Sequence, residues 1–269
     1  MLEPFSLPFV QRGMVEIVVL AIGGGVVGTW IVLRGLAFFS HAVGTAAFPG
    51  LVLADGLSFS AHLGAAGTAA LVAAGVGVIT RRDQEGHDSS TALVLVAALA
   101  AGVILASDVF HSGANVETLL FGSLLLIDGA DLAWAAAATT AVLLATAVLG
   151  RAWLVTGFDP GTARALGVRP AVPDAILLSL VAFVAVAALS ATGALLATAM
   201  LVVPAATTRL FCDRIGTWQL ATVALAAVEG IVGLWLAVEL NAPSGAAIAV
   251  LTGGVFVLVA GARALREAR

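Results

Sequence analysis

Few side chains in this 269-residue chain can do chemistry, and His41 is the most informative of them. It sits in Arg34 to Gly50, RGLAFFSHAVGTAAFPG, where one arginine leads into apolar and small residues. An ionisable group in such a segment costs about 2.5–3.5 kcal/mol to place in a membrane, so it normally has a partner or a task. Two readings stand for His41: an imidazole on a cation pathway, or one satisfied by a neighbouring backbone carbonyl. Imidazole suits zinc, copper, iron or nickel, whereas carboxylates suit manganese and other hard ions. Glu229, in LAAVEGIVG, poses the same question. It is protonated, paired with a helix neighbour, or a lining group of the pathway. His111, Asp108 and Glu117 form either an outer landing site for a metal or a solvated loop. His87 lies among charged residues and reads as solvated surface.

Several function classes are excluded by what is missing. All 12 basic residues are arginine. A Walker A loop requires a lysine on the nucleotide phosphates, so the chain does not hydrolyse ATP by that route. Lysine-based covalent catalysis is excluded as well. HExxH is absent and no paired membrane aspartates occur, which argues against an intramembrane enzyme. Cys212 stands alone, so neither an internal disulfide nor a cysteine-built metal centre is available. No basic nucleic-acid surface is visible. These residues point to a binding or transport role with no catalytic residue and no permanently bound cofactor.

The elements that must position these groups follow from composition. The chain is 61% hydrophobic and 10% charged, against about 25% charged in an ordinary soluble domain. The expected class is an all-α polytopic membrane protein in a lipid bilayer, with about eight or nine spanning helices and a single domain over residues 1–269. A span takes roughly 20 apolar residues. Segments fall near 14–33, 36–55, 61–79, 91–107, 132–150, 173–190, 192–208, 218–238 and 245–262. The second is rich in Gly, Ser and Thr, and a re-entrant path there would lower the count. The pair around Ala191-Thr192-Gly193 leaves little room for a turn. Residues 1–13 read as an N-terminal tail or interfacial segment. They lack the cationic start of a secretory signal. Gly24 and Gly28 form a GxxxG spacing that permits close helix approach.

With alternating helices, Arg34, Arg81, Arg82, Arg151, Arg164, Arg169, Arg209, Arg214, Arg263, Arg266 and Arg269 share one side, and only Arg12 is opposite. The positive-inside rule makes that side, and the C-terminus, cytoplasmic. The other side carries Asp55, Asp108, Glu117, Asp128, Asp131 and Glu239 with His62 and His111; either this is an acidic mouth that concentrates cations, or the outer loops are acidic simply because arginine is kept inside. Within the loop 157–170, GFDPGTARALGVRP, Asp159 is a good N-cap, Pro160 fits a first turn, and Gly167 ends the helix. This helix either merely caps the loop or, since so short a helix is marginal alone, offers its arginine and exposed leucine for docking to a partner.

Three stretches then resemble a known family, the integral-membrane permeases of bacterial ABC importers for zinc, manganese and iron. They are Arg34 to Ala54, RGLAFFSHAVGTAAFPGLVLA; Phe158 to Val168, FDPGTARALGV; and Gly193 to Arg209, GALLATAMLVVPAATTR. Leu120 to Asp128, LFGSLLLID, and Ala242 to Ala246, APSGA, are similar too. The resemblance covers about residues 14–262. It implies a multi-pass protein of the bacterial inner membrane whose second copy completes a pathway for a divalent metal. Separate cytoplasmic ATPase subunits would dock on a coupling helix that includes Asp159, Ala163, Arg164, Leu166 and Gly167. An extracytoplasmic solute-binding protein would deliver the metal. The family segment usually reads Gly-Asp-x-x-Ser-His before Pro-Gly; aligned here, its aspartate falls at His41 and its histidine at Thr45. On a helix these are one turn apart on one face, a transient metal-pathway pair by resemblance; the other reading of Thr45 is helix packing or a bond back to its own backbone. The alternatives are a secondary cation transporter using His41 and Glu229 as a relay, and an ABC permease for a non-metal substrate.

Overall fold

Away from water, a backbone satisfies its N–H and C=O groups only within a helix or a closed barrel, and these Ala-, Val- and Leu-rich runs close as helices. In the computed structural model, which describes residues 7–80, 87–110, 116–123, 127–158 and 171–267, no strand occurs among the described residues. The elements are α1 Pro8–Leu33, α2 Ala37–Gly56, α3 Ala61–Thr80, α4 His87–Ile104, α5 Val116–Phe121, α6 Gly129–Phe158, α7 Ala171–Ala187, α8 Leu189–Arg209, α9 Ile215–Leu240 and α10 Ser244–Glu267. A π-helical turn, Leu105–Val109, extends α4.

Six of these helices contain stretches long and apolar enough to cross a membrane: Val10–Leu33, Ala37–Gly56, Thr91–Val109, Gly129–Gly157, Ile215–Leu240 and Ser244–Glu267. Shorter apolar stretches cover Ala61–Gly75, Ala171–Ala187 and Leu196–Arg209. The expected segments thus all lie on helices, and α2 is one continuous helix rather than a re-entrant loop, despite Pro49 inside it. α1 begins at Pro8 with proline in its first turn, so helix reaches into the segment expected as a tail.

α1 and α2 form the buried centre. α1 packs on α6, α8 and α9, and α2 packs on α3, α4, α7 and α8. With no hydrophobic drive between helices in lipid, close packing and interhelical hydrogen bonds must hold such a bundle. Gly24 and Gly28 provide the first: a Cβ at Gly24 would lie 2.7 Å from Leu201 Cδ2, and one at Gly28 would collide with the Leu201 carbonyl. The GxxxG face is therefore the α1–α8 contact. α1 is also tied to α6 by Thr139 Oγ1 donating to the Val19 carbonyl at 2.9 Å and by Trp30 Nε1 donating to Thr146 Oγ1 at 3.2 Å. By contrast α4, α6 and α10 turn apolar side chains outward, among them Leu93, Val96, Leu144, Val148, Val257 and Leu258, as lipid-facing helices do.

α7 hydrogen-bonds onward through Ala188 and Thr192, whose N–H groups donate to Val184 and Ala188. Within α8 the helix then kinks at Gly193, with φ 75° and ψ 164°. That region is essentially open to glycine alone, which explains how two helical stretches join with almost no loop.

Candidate functional site

α2 carries His41 and Thr45 one turn apart on one face, as the spacing requires. His41 is half-buried, whereas Thr45 is fully buried and its Oγ1 has no hydrogen-bond partner. This is unusual for a helical threonine, which commonly bonds back to a carbonyl three or four residues earlier. Thr192, Thr207, Thr208 and Thr222 all do so here. Ser40 Oγ on α2 and Thr198 Oγ1 on α8 are likewise buried without partners. Gly44 faces α8: a Cβ there would stand in ordinary contact, 3.6 Å, with both Thr198 Oγ1 and the Ala194 carbonyl. The α2–α8 seam thus holds hydroxyl oxygens with free lone pairs beside a half-buried imidazole, a set suited to brief contact with a cation.

Glu229 is buried on α9, and neither carboxyl oxygen has a partner. α9 packs chiefly on α1, α8 and α10, so Glu229 belongs to a different patch from His41 and Thr45. The sequence reading missed Glu16. It is wholly buried on α1, again with both oxygens unpartnered, and Asp131 and Asp128 are its charged neighbours. Its signal was the same as that of Glu229, a lone carboxylate in an apolar run.

At the same end as the first turns of α1, Asp131 gathers a polar cluster. His62 Nε2 lies 3.1 Å from Asp131 Oδ1, in ion-pair range but off the line of a hydrogen bond. Ser190 Oγ donates to that oxygen at 2.5 Å, and the Asp128 N–H donates to Oδ2 at 2.9 Å. The His62 ring stacks on Trp134 at 5.2 Å. Both residues were expected at the acidic end, but their pairing across α3 and α6 has no local signal. Among the described residues no three His, Cys, Asp or Glu side chains come together as a metal-holding group. His111, the side chains of His87 and Glu117, and the whole set Asp159, Ala163, Arg164, Leu166 and Gly167 lie outside what the structure describes.

The remaining marked motifs are joints. Gly122, Gly193 and Gly245 bring three backbones together: Ser123 N–H donates to the Ser190 carbonyl at 3.0 Å, and Ser244 Oγ donates to the Ala191 carbonyl at 3.2 Å. Leu120 to Ser123, the start of GALLATAM and APSGA therefore meet in one place. The Pro-Ala-Ala-Thr end of α8 locks onto α9. Trp218 Nε1 donates to the Ala205 carbonyl at 2.9 Å, Thr208 and Thr222 share a hydroxyl contact of 2.7 Å, and the Arg209 guanidinium stands 5.2 Å over the Trp218 ring.

With this geometry in place, comparison with known proteins is informative. Residues 6–262 match the model of the ABC 3 transport family. The manganese import system permease protein ScaB of Streptococcus parasanguinis is 32% identical over 251 residues, covering 93% of this chain and 89% of that protein. The manganese transport system membrane protein MntC of Halalkalibacterium halodurans is 29% identical over 253 residues, covering 94% and 87%. The solved structure of PsaBC from Streptococcus pneumoniae in complex with Fab superposes with a TM-score of 0.86 at 26% identity, covering 96% of this chain and 95% of the matched one.

Proposed function

The chain belongs to the ABC 3 transport family, and on that premise we propose that it is the membrane-spanning permease of an ATP-driven importer for a divalent transition metal. The match along nearly the whole chain to a manganese import system permease protein and a manganese transport system membrane protein carries this reading. Two copies form the pathway, and α2 from each presents His41 and Thr45 to it. Separate ATPase subunits supply the energy, docking at residues 157–170, and an extracytoplasmic binding protein delivers the ion. The arginine-bearing end, with the C-terminus, faces the cytoplasm of a bacterial cell. This orientation is supported by the positive-inside rule.

The chemistry asked of this chain is modest. A carried ion must shed part of its water and find replacement donors, then leave. One imidazole and one hydroxyl per copy, doubled across a dimer, provide transient ligands without a full coordination shell. The metal is cargo, and borderline ions fit the imidazole better than hard ones do. The test is uptake of manganese, zinc and iron by cells lacking the chain, at limiting metal concentration. Uptake of at least one of them should fall and return when the chain is restored. No change for any of the three would reject the proposal. For the docking segment, Leu166→Asp should abolish co-purification of the ATPase subunits; an intact assembly would place docking elsewhere.

A further inference from the structure

Arg34 does more than mark the end of a helix. Its backbone closes α1 in a Schellman turn: the Arg34 N–H donates to the Trp30 carbonyl at 3.0 Å, Gly35 to Val32 at 3.3 Å and Leu36 to Ile31 at 2.9 Å, with Gly35 at φ 65°. The bonding of α2 starts at once, since Ser40 N–H donates to the Leu36 carbonyl at 2.9 Å. The joint from Arg34 to α2 therefore has little slack. The side chain spreads in the other direction. Nη1 donates to Thr156 Oγ1 at 2.6 Å and to the Trp153 carbonyl at 3.3 Å, both near the end of α6. Nη2 donates to Asp174 Oδ1 at 2.7 Å, in the first turn of α7. Gly157 leaves room for the arginine stem, because a Cβ there would stand 2.9 Å from Arg34 Cδ.

One guanidinium thus ties the last turns of α6 to the first turn of α7, and the same residue leads directly into the helix that holds His41 and Thr45. A second tie, Trp153 Nε1 to the Pro173 carbonyl at 2.8 Å, closes the base of that segment without involving Arg34. The Arg34 and Asp174 side chains are only 15% and 34% exposed, so their ion pair is partly shielded from water. A planar fork that meets a hydroxyl, a carbonyl and a carboxylate at once fixes orientation as well as charge.

We propose that the Arg34–Asp174 clamp is the positioning element through which movement at the base of residues 159–170 reaches α2, so that it sets how much metal is moved per ATP. This rests on the permease reading and on ATPase docking at that segment. Because the Trp153–Pro173 tie remains when the clamp is cut, assembly and transmission are separable. The test uses the full complex, permease with its ATPase subunits and binding protein, in proteoliposomes supplied with manganese and zinc. Uptake and ATP hydrolysis are followed together, and assembly is followed by size exclusion. Arg34→Gln and Asp174→Asn should leave the complex assembled and hydrolysis within about twofold of the parent, while metal moved per ATP falls by about fivefold or more, the range of ordinary coupling between sites. Asp174→Glu, which keeps the carboxylate, should retain most of the parent ratio. Two results would overturn the proposal: an unchanged ratio in Asp174→Asn, or an equal loss in Asp174→Glu and Asp174→Asn. A parent complex that fails to assemble with any ATPase subunit would instead overturn the permease reading beneath it.

Discussion

His41 and Thr45 differ in what surrounds them, and that difference shapes what each can contribute. Thr45 offers a buried oxygen with no protein partner; an unsatisfied buried hydroxyl normally costs about 1–3 kcal/mol, so a group that completes its hydrogen bonding or coordination is favoured there. His41, half-buried, can bind an ion and still exchange it. Replacing His41 by alanine should reduce uptake of the carried metal by about tenfold or more, the usual lower range for disturbing a metal's ligand environment. Unchanged rates for zinc, iron and manganese would remove His41 from the pathway. His41→Asp gives a sharper test of chemistry. A carboxylate is a harder donor than imidazole, so the manganese-to-zinc uptake ratio should rise; an unchanged or falling ratio would show that selectivity is set elsewhere. Glu16 and Glu229 share the burial of Thr45 but sit in other patches. α9, which carries Glu229, packs chiefly on α1, α8 and α10.

Among the helices, α2 and α8 carry most of the organisation. The sequence made the spans legible because long apolar runs have one structural solution in lipid. It also marked the joints correctly as unusual places: Ala191-Thr192-Gly193 left no room for a loop, and Gly193 resolves this with a backbone conformation that side chains disfavour. What it could not supply was which joints meet. Leu120 to Ser123, Gly193 and APSGA converge only because α5, α8 and α10 pack together, and such long-range contacts leave no periodic trace. The same holds for His62 with Asp131, and for Glu16, whose burial depends on the placement of α6. Gly193→Ala tests the joint directly. Adopting that backbone costs a non-glycine residue about 1–3 kcal/mol, and the added Cβ would meet the Leu120 carbonyl and the Gly122 N–H. The purified protein should lose several degrees of thermal stability in detergent. A parent-like melting temperature would mean that the turn relaxes freely.

For the molecule as a whole, the buried α1–α2 centre and the lipid-facing α4, α6 and α10 describe a protein that spans the membrane many times and carries polar groups only at chosen places. Among the described residues, Asp131, His62 and Asp128 cluster where α3 and α6 meet, and on the proposed orientation this cluster would face the side from which cations arrive. The chain has no lysine and hence no Walker A loop of its own, so the account requires the energy to come from another subunit. The most direct test is metal flux in proteoliposomes containing this chain alone, compared with the chain plus its ATPase subunits and binding protein. A permease energised by separate subunits gives no flux from the chain alone, with or without a proton gradient, and ATP-dependent uptake once the other subunits are present. Proton-driven metal uptake by the chain alone would instead show a secondary transporter.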